Sequence, residues 1–460
     1  MYKMFRYIKN VSLWKRFRGV LLLALTLSLF SCDDFLDITP TGKVIATTAE
    51  EYRALLTNEY KKFSTDRMKT TLRTDECTLD KTYEAVTQYH DSYLDLWLWK
   101  DDNYSSTTLS FSTSPSKWVD YYHRIYIANY LIEHKNEITN GSADEVSQLI
   151  GEAYMMRAYN HFLLVNLYAQ PYTKCNPATT RGVPLMLVAD VNAVPRCSSV
   201  EKIYKQVLAD LDEAAKYMNV KKWDKGYNYR FNTVSVDALR ARTYLYMGEW
   251  QKAYDAAQMV IDAWPEIENV SSKLPNSYDS VENIVALEHF ASDVQNATLY
   301  IGDDFISLYR TGDQRKSKYF KMINKIPEYN SIKSAEYCSF RSSEAYLTAA
   351  EALAQMGKTA DAIAQLQPLL TKRLNSSALQ YANNLMTAMS KEELISEILD
   401  ERAREFAFEG HRWYDLRRTT QPQLTRIFKD ETYTLTPEKY TFRLPSDAVE
   451  ANPEIELWEN

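Results

Sequence analysis

Two stretches of this chain repeat one spacing of small residues. Ala241, Tyr244, Gly248, Trp250, Ala253 and Ala257 fall at offsets 0, 3, 7, 9, 12 and 16, and Ala350, Leu353, Gly357, Thr359, Ala362 and Leu366 repeat them. The spacing predicts pairs of packed helices, because Gly turns the chain and Ala lets two helix axes approach closely. Chance sharing of the pattern by unrelated hairpins is the alternative. Composition points the same way. With 11 Gly and 14 Pro in 460 residues, the chain has too few turn formers for many short hairpin-linked strands. At 45% apolar and 25% charged it can bury a sizeable core.

The repeated unit is similar to a tetratricopeptide helix pair, although its copies stand 109 residues apart and form no clean tandem. Weaker hairpins are expected to fill in. Trp118 to Ile138 carries apolar residues at i, i+3 and i+4 spacing and predicts a helix. Ala143 to Tyr168 is apolar nearly all round in its second half, which marks a core helix. It should stop before Pro171. Val200 to Met218 predicts another amphipathic helix. The fold class expected is mainly α: irregular tetratricopeptide-like hairpins with long loops and a few short strands.

Two regions do not read as helix. Residues 70–116 are polar and aromatic, with Tyr83, Tyr89, Tyr93, Trp97, Trp99 and Tyr104. Residues 269–337 hold Gly, Pro, Asn and short β-like runs such as Ile284 to Leu287. Loops this long in a compact protein usually carry function. A ligand site is therefore expected there. A further aromatic loop holds Trp223, Tyr227 and Tyr229.

The front of the chain reads as an export signal. Lys15, Arg16 and Arg18 precede an apolar run, Val20 to Phe30, of 11 residues, against about 20 for a membrane span. The run ends in Leu29, Phe30, Ser31 and Cys32, similar to the bacterial lipobox, with Phe30 bulkier than the usual occupant. This implies that residues 1–31 are removed, that Cys32 is lipidated, and that residues 32–460 form a single domain. An ordinary signal peptide with an incidental Cys is the alternative. Asp33, Asp34 and Asp37 resemble the surface-export signal of Bacteroidetes-type lipoproteins, or form a solvated acidic linker.

The net charge is −7, and residues 1–31 contribute six basic groups and no acid, so the rest stands at −13. An acidic body without a basic stripe is a poor partner for nucleic acid. Cys77, Cys175, Cys197 and Cys338 include no C-x-x-C pair, so neither redox nor zinc chemistry is signalled. Cys175 and Cys197 could pair in an oxidising compartment. No zinc-protease, nucleophile-elbow, Walker or dinucleotide motif occurs, no two His stand at i, i+4, and no EF-hand loop is present. Neither a metal nor a cofactor is expected, and the chain is not read as an enzyme. Glycosidase carboxylates leave no sequence motif, so a surface hydrolase stays open.

The most specific feature is Glu401 to Arg418, ERAREFAFEGHRWYDLRR. It resembles the hallmark helix of the SusD/RagB family of outer-membrane lipoproteins. Other matches follow in order: Cys32 to Asp37 with Pro40; Trp118 and Tyr121 through Ile125, Ala128 and Asn129; and Gly151 to Ala153 with Arg157, Ala158, Leu167 and Tyr168. Phe340 and Arg341 through Ala345, Tyr346, Ala349, Ala350 and Glu351, then Leu444-Pro445 and Asn452-Pro453, complete them. The chain is short for the family, and its loops align with nothing. Within the hallmark, Glu405, Glu409, His411 and Asp415 could be taken for catalytic groups, but ion pairs at i, i+3 and i+4 explain them more simply. Phe406, Trp413 and Leu416 are expected to pack inward.

The resemblance implies a nutrient-binding lipoprotein on the outer membrane, facing the cell exterior. Such a protein is a lid over a SusC-like TonB-dependent transporter and delivers oligosaccharides or, in some members, oligopeptides. Trp97, Trp99 and Asn103 resemble the aromatic-and-amide arc of a starch-binding member, with one residue more before the Asn. Tyr104, Tyr89 and Tyr300 are secondary candidates. Packing of both Trp in the core is the competing reading. A tetratricopeptide-type protein adaptor is the remaining alternative.

Overall fold

The computed structural model describes residues 46–63, 65–79, 91–100, 117–288, 299–322, 329–332, 338–428 and 430–457. From Thr48 onward these form one compact unit. Cys32 and the acidic residues after it lie outside the described residues, as do Tyr89, Asn103 and Tyr104. No helix among the described residues is long and apolar enough to cross a membrane.

The first half runs α1 (Ala49–Lys61), α2 (Arg67–Leu72), β1 (Cys77–Leu79), α3 (Asp91–Trp97), α4 (Trp118–Glu133), α5 (Ala143–Tyr168), β2 (Arg181–Pro184), β3 (Cys197–Ser199), α6 (Val200–Tyr217), α7 (Thr233–Met247) and α8 (Trp250–Ala263). Then come β4 (Asn283–Val285), β5 (Leu299–Ile301), α9 (Asp303–Ser307), α10 (Arg315–Tyr319), β6 (Phe320–Met322), β7 (Tyr329–Ile332), β8 (Phe340–Arg341), α11 (Ser342–Gln355) and α12 (Thr359–Leu370). The chain closes with α13 (Ser376–Ala388), α14 (Lys391–Glu405), α15 (His411–Arg418), β9 (Leu424–Phe428), β10 (Glu431–Leu435) and α16 (Ser446–Ala451). The architecture is mainly α, as expected, and the strands among the described residues occur as isolated antiparallel pairs.

Helix starts follow from local chemistry. Thr48 with Glu51, Ser142 with Glu145, and Ser390 with Glu393 form capping boxes in front of α1, α5 and α14. The two repeated spacings are the hairpins α7–α8 and α11–α12, with Gly248 and Gly357 in the left-handed conformation at the turns (φ +74° and +79°). Ala241, Ala253, Ala257, Ala350 and Ala362 are buried, and α8 packs directly on α11. Helices α4 to α8 pack in succession, and α11 joins α12 and α14 around Leu353, Leu366, Leu369, Leu394, Ile398 and Phe406. Each such buried apolar side chain contributes ~1.5–3 kcal/mol through removal from water.

Three expectations need correction. The helix from Trp118 ends at Glu133 rather than Ile138, because the backbone turns at His134. Residues 70–116 contain α3, and residues 269–337 contain α9 and α10; these helices are five to seven residues long, too short for a period of about 3.6 residues to show in the sequence. The hallmark stretch is two helices rather than one. It breaks at 406–410, where Phe408 (φ +61°) and Gly410 (φ +77°) reverse the chain.

Candidate functional site

The two long loop regions meet at their bases. β1, from the first region, pairs antiparallel with β5, from the second, placing Thr78 opposite Tyr300. Only the backbone of Tyr300 is described. Gly302 approaches so closely that an added Cβ would stand 2.4 Å from the Asp75 carbonyl oxygen, so only Gly fits there. Arg412 of α15 makes two hydrogen bonds to the Asp75 carboxylate, at 2.9 and 2.7 Å. The loop base is thereby tied to the hallmark segment.

Trp97 and Trp99 belong to this base, but not as a platform. Their exposures are 5% and 0%. The Trp97 indole N–H donates to the Cys77 carbonyl at 3.3 Å, and that of Trp99 to the Arg73 carbonyl at 3.0 Å. The Arg426 guanidinium lies 4.5 and 4.3 Å from the two ring centroids and donates to the carbonyls of Leu72, Trp97 and Thr74. Burial pushes the Arg426 pKa down to about 10. The expected exposed aromatic pair is therefore corrected: with rings and N–H groups both engaged inside the protein, these two Trp hold the loop base together.

The second aromatic loop does line open space. Trp223 borders a cleft of about 580 Å³ between the starts of α1 and α5 and the segment 219–230. Tyr227 is 51% exposed, and Tyr229 is half-buried. Sequence reasoning missed the groups facing this loop, Arg53, Asn140 and Gln148, which no spacing connects to it. A second cavity, of about 490 Å³, opens among α12, α13 and α14 beside Arg310 and Tyr381.

The hallmark carboxylates are not arranged for chemistry on a substrate. Glu405 accepts from Arg315, Arg341 and Arg373, Glu409 accepts from Arg341, and Asp415 accepts from Arg402 and Arg418. All are buried. Burial pushes the Glu405 carboxyl up, but Arg373, Arg341 and Arg315 outweigh it and hold the group well below the usual carboxylate range. Burial, with the arginines around it, pushes the His411 imidazole well below its usual range. Phe406, Trp413 and Leu416 are buried, as expected. The i, i+3 pairs Glu401–Arg404 and Asp415–Arg418 exist, yet most partners come from distant elements. Cys77, Cys175, Cys197 and Cys338 are free thiols, and no group of three His, Cys, Asp or Glu among the described residues is placed to hold a metal ion.

Two stretches of the chain match known families. Residues 34–245 match a family described as "Starch-binding associating with outer membrane", and residues 299–453 match the "SusD family". The chain belongs to the SusD family. It is 24% identical over 397 residues to SusD-like protein P38 of Formosa agariphila, covering 69% of this chain and 74% of that one. SusD-like protein P2 of the same organism is 22% identical over 371 residues, covering 65% and 70%. The fold superposes on a SusD superfamily protein from Bacteroides fragilis with a TM-score of 0.73 at 21% identity, covering 90% of this chain and all of that one. A SusD-like carbohydrate binding protein from Bacteroides vulgatus gives 0.69 at 17% identity, covering 89% and 97%. Among SusD-family features, the hallmark segment is here a buried ionic hub beneath the loop base.

Proposed function

We propose that this SusD-family chain is a lipoprotein of the outer membrane that binds oligosaccharides and delivers them to a SusC-like TonB-dependent transporter. The match of residues 34–245 to a family described as starch-binding and associating with the outer membrane carries this reading. In it, residues 1–31 are a signal peptide, Cys32 bears the lipid, and residues 32–460 act as one domain facing the cell exterior. The lipid keeps the binder beside its transporter and raises its effective concentration there. Binding needs shape, aromatic faces and directional hydrogen bonds but no covalent chemistry, so the protein acts without catalysis. The ligand-contacting residues proposed are Asn103, Tyr104, Tyr89 and Tyr300, carried by the two loop regions.

The test is extraction of the tagged full-length protein from outer membranes in mild detergent, followed by native mass spectrometry and calorimetry. A stoichiometric large β-barrel partner and heat on adding oligosaccharide are expected. Isolation without a barrel, or heat only with oligopeptides, would reject the partner or the ligand class respectively.

A further inference from the structure

We propose that the cleft beside Trp223 is a second saccharide-binding site, separate from the loop base and selective for neutral, hydroxyl-rich sugars. It rests on the saccharide reading above but uses none of the residues named there.

The cleft is a built feature. Gln148 of α5 is buried and accepts the backbone N–H groups of Asn219 and Val220, both at 3.0 Å, while its amide donates to the Phe231 carbonyl. The same Phe231 carbonyl accepts the Trp223 indole N–H at 2.9 Å, which fixes the ring. Beneath it, Glu152 accepts two hydrogen bonds from Arg53 at 2.8 and 3.0 Å and one from the Tyr60 hydroxyl at 2.7 Å. The opposite wall is the turn at 139–141. Gly141 packs so tightly that a Cβ there would stand 2.5 Å from the Ala49 Cβ, and Asn140 takes a left-handed conformation (φ +55°).

Arg230 is the telling residue. Its guanidinium stands 5.1 Å from the Trp223 ring centroid, 4.6 Å from that of Tyr227 and 5.6 Å from that of Tyr229. Elsewhere, Arg53, Arg157, Arg242, Arg315, Arg341 and Arg418 each face a carboxylate. Arg230 faces none among the described residues, and its enclosed Nε has no acceptor. A stacked, preoriented guanidinium with idle donors awaits oxygen acceptors.

The other lining groups decide which oxygens. Glu50, Asp144 and Glu145 are exposed on the rim. Glu145 is spent on the Ser142 cap, which leaves two carboxylates as acceptors. These carboxylates repel an anion but suit sugar hydroxyls, which donate to them while accepting from Arg230 and the Asn140 amide. Trp223 lines the cleft and supplies apolar carbon for sugar C–H groups, while Tyr227 stands outside the lining and backs Arg230. Donors, acceptors and aromatic carbon within one pocket are what a neutral saccharide needs.

The test uses the full-length protein in detergent with malto-, xylo- and manno-oligosaccharides as probes. Hydrogen exchange at 219–231 is followed, and affinity is compared for wild type, Arg230→Gln and Tyr227→Ala. Arg230 and Tyr227 stack on one another but make no side-chain hydrogen bond or ion pair among the described residues, so both variants are expected to fold, which far-UV circular dichroism checks. The expected result is protection of 219–231 by at least one probe and roughly tenfold weaker binding in Arg230→Gln. Oligosaccharide binding with 219–231 unprotected and both variants unchanged would overturn the site while leaving the proposed function standing. No binding of any probe by wild type would overturn both.

Discussion

Glu76, at the base of the first loop region, accepts the backbone N–H of Phe408 at 2.6 Å, in the middle of the break between α14 and α15. Phe408 is held at φ +61°, a conformation that side-chain-bearing residues seldom adopt, so the bend needs outside support. Glu76 supplies that support from a residue more than three hundred positions away in the chain. Its second oxygen accepts the Thr74 hydroxyl at 3.0 Å. Loop base and hallmark segment are therefore one mechanical unit.

This carboxyl should make stability depend on pH. Burial pushes its pKa from 4.5 up to about 8. The folded protein thus holds a proton that the unfolded chain releases between those values. The stabilisation is complete below about pH 4.5 and is lost as pH rises through about 8. Thermal unfolding at pH 5 and pH 8.5 should show a wild-type decline that Glu76→Gln, a permanently neutral mimic, diminishes. Equal pH slopes in the two proteins would show that Glu76 does not carry the effect.

Glu405 should behave in the opposite sense. Arg373, Arg341 and Arg315 hold it ionised, so its contribution is present above the ordinary Glu value and fades only in strong acid. Replacing it by Gln leaves buried guanidinium groups under-compensated. Breaking a buried ion network in this way costs roughly 3–5 kcal/mol. Urea unfolding should show this as a lower midpoint with an unchanged slope. A loss below about 1 kcal/mol would mean that the remaining carboxylates, Glu282 and Glu409 among them, suffice for the hub.

These two residues also show what the sequence could and could not reveal. The hairpins were legible because Ala and Gly at fixed offsets encode close helix packing locally, as Gly248 and Gly357 confirm. The start of α5 and its stop before Pro171 were legible for the same local reason. The hub was not, since Arg341 and Arg373 meet Glu405 from 64 and 32 residues away. Nor was the fate of Trp97 and Trp99. A tryptophan's apolar body and single N–H suit a ligand platform and a packed core equally, and only the arrival of Arg426 distinguishes the two. In the Trp223 cleft, the aromatic residues were visible in one loop, but the opposing wall comes from α1 and the 139–141 turn.

Gly357 offers a clean measure of backbone cost. It sits at φ +79° at the α11–α12 turn, and a Cβ built on it would meet nothing within 4 Å. Gly357→Ala should therefore cost about 1 kcal/mol through conformation alone, and Gly357→Asn less. Gly151 is the contrast. It lies inside α5, and an added Cβ would stand 2.7 Å from the Met218 backbone nitrogen, so Gly151→Ala must push apart α5 and the end of α6. Parallel denaturation of the three variants should rank Gly151→Ala as the most damaging. A larger loss in Gly357→Ala would contradict the open space at that turn.

Trp99 separates structural from ligand-binding roles at the loop base. It is fully buried, its indole N–H is bonded to the Arg73 carbonyl, and its ring stacks on Arg426. Trp99→Ala should lose roughly 3–5 kcal/mol, because a large cavity opens and the guanidinium loses its aromatic neighbour. The change should appear first as a lower unfolding midpoint. Any loss of oligosaccharide affinity should then follow the fraction unfolded and vanish at temperatures where the variant remains native. Normal stability together with an abolished ligand response would instead place Trp99 in the binding surface.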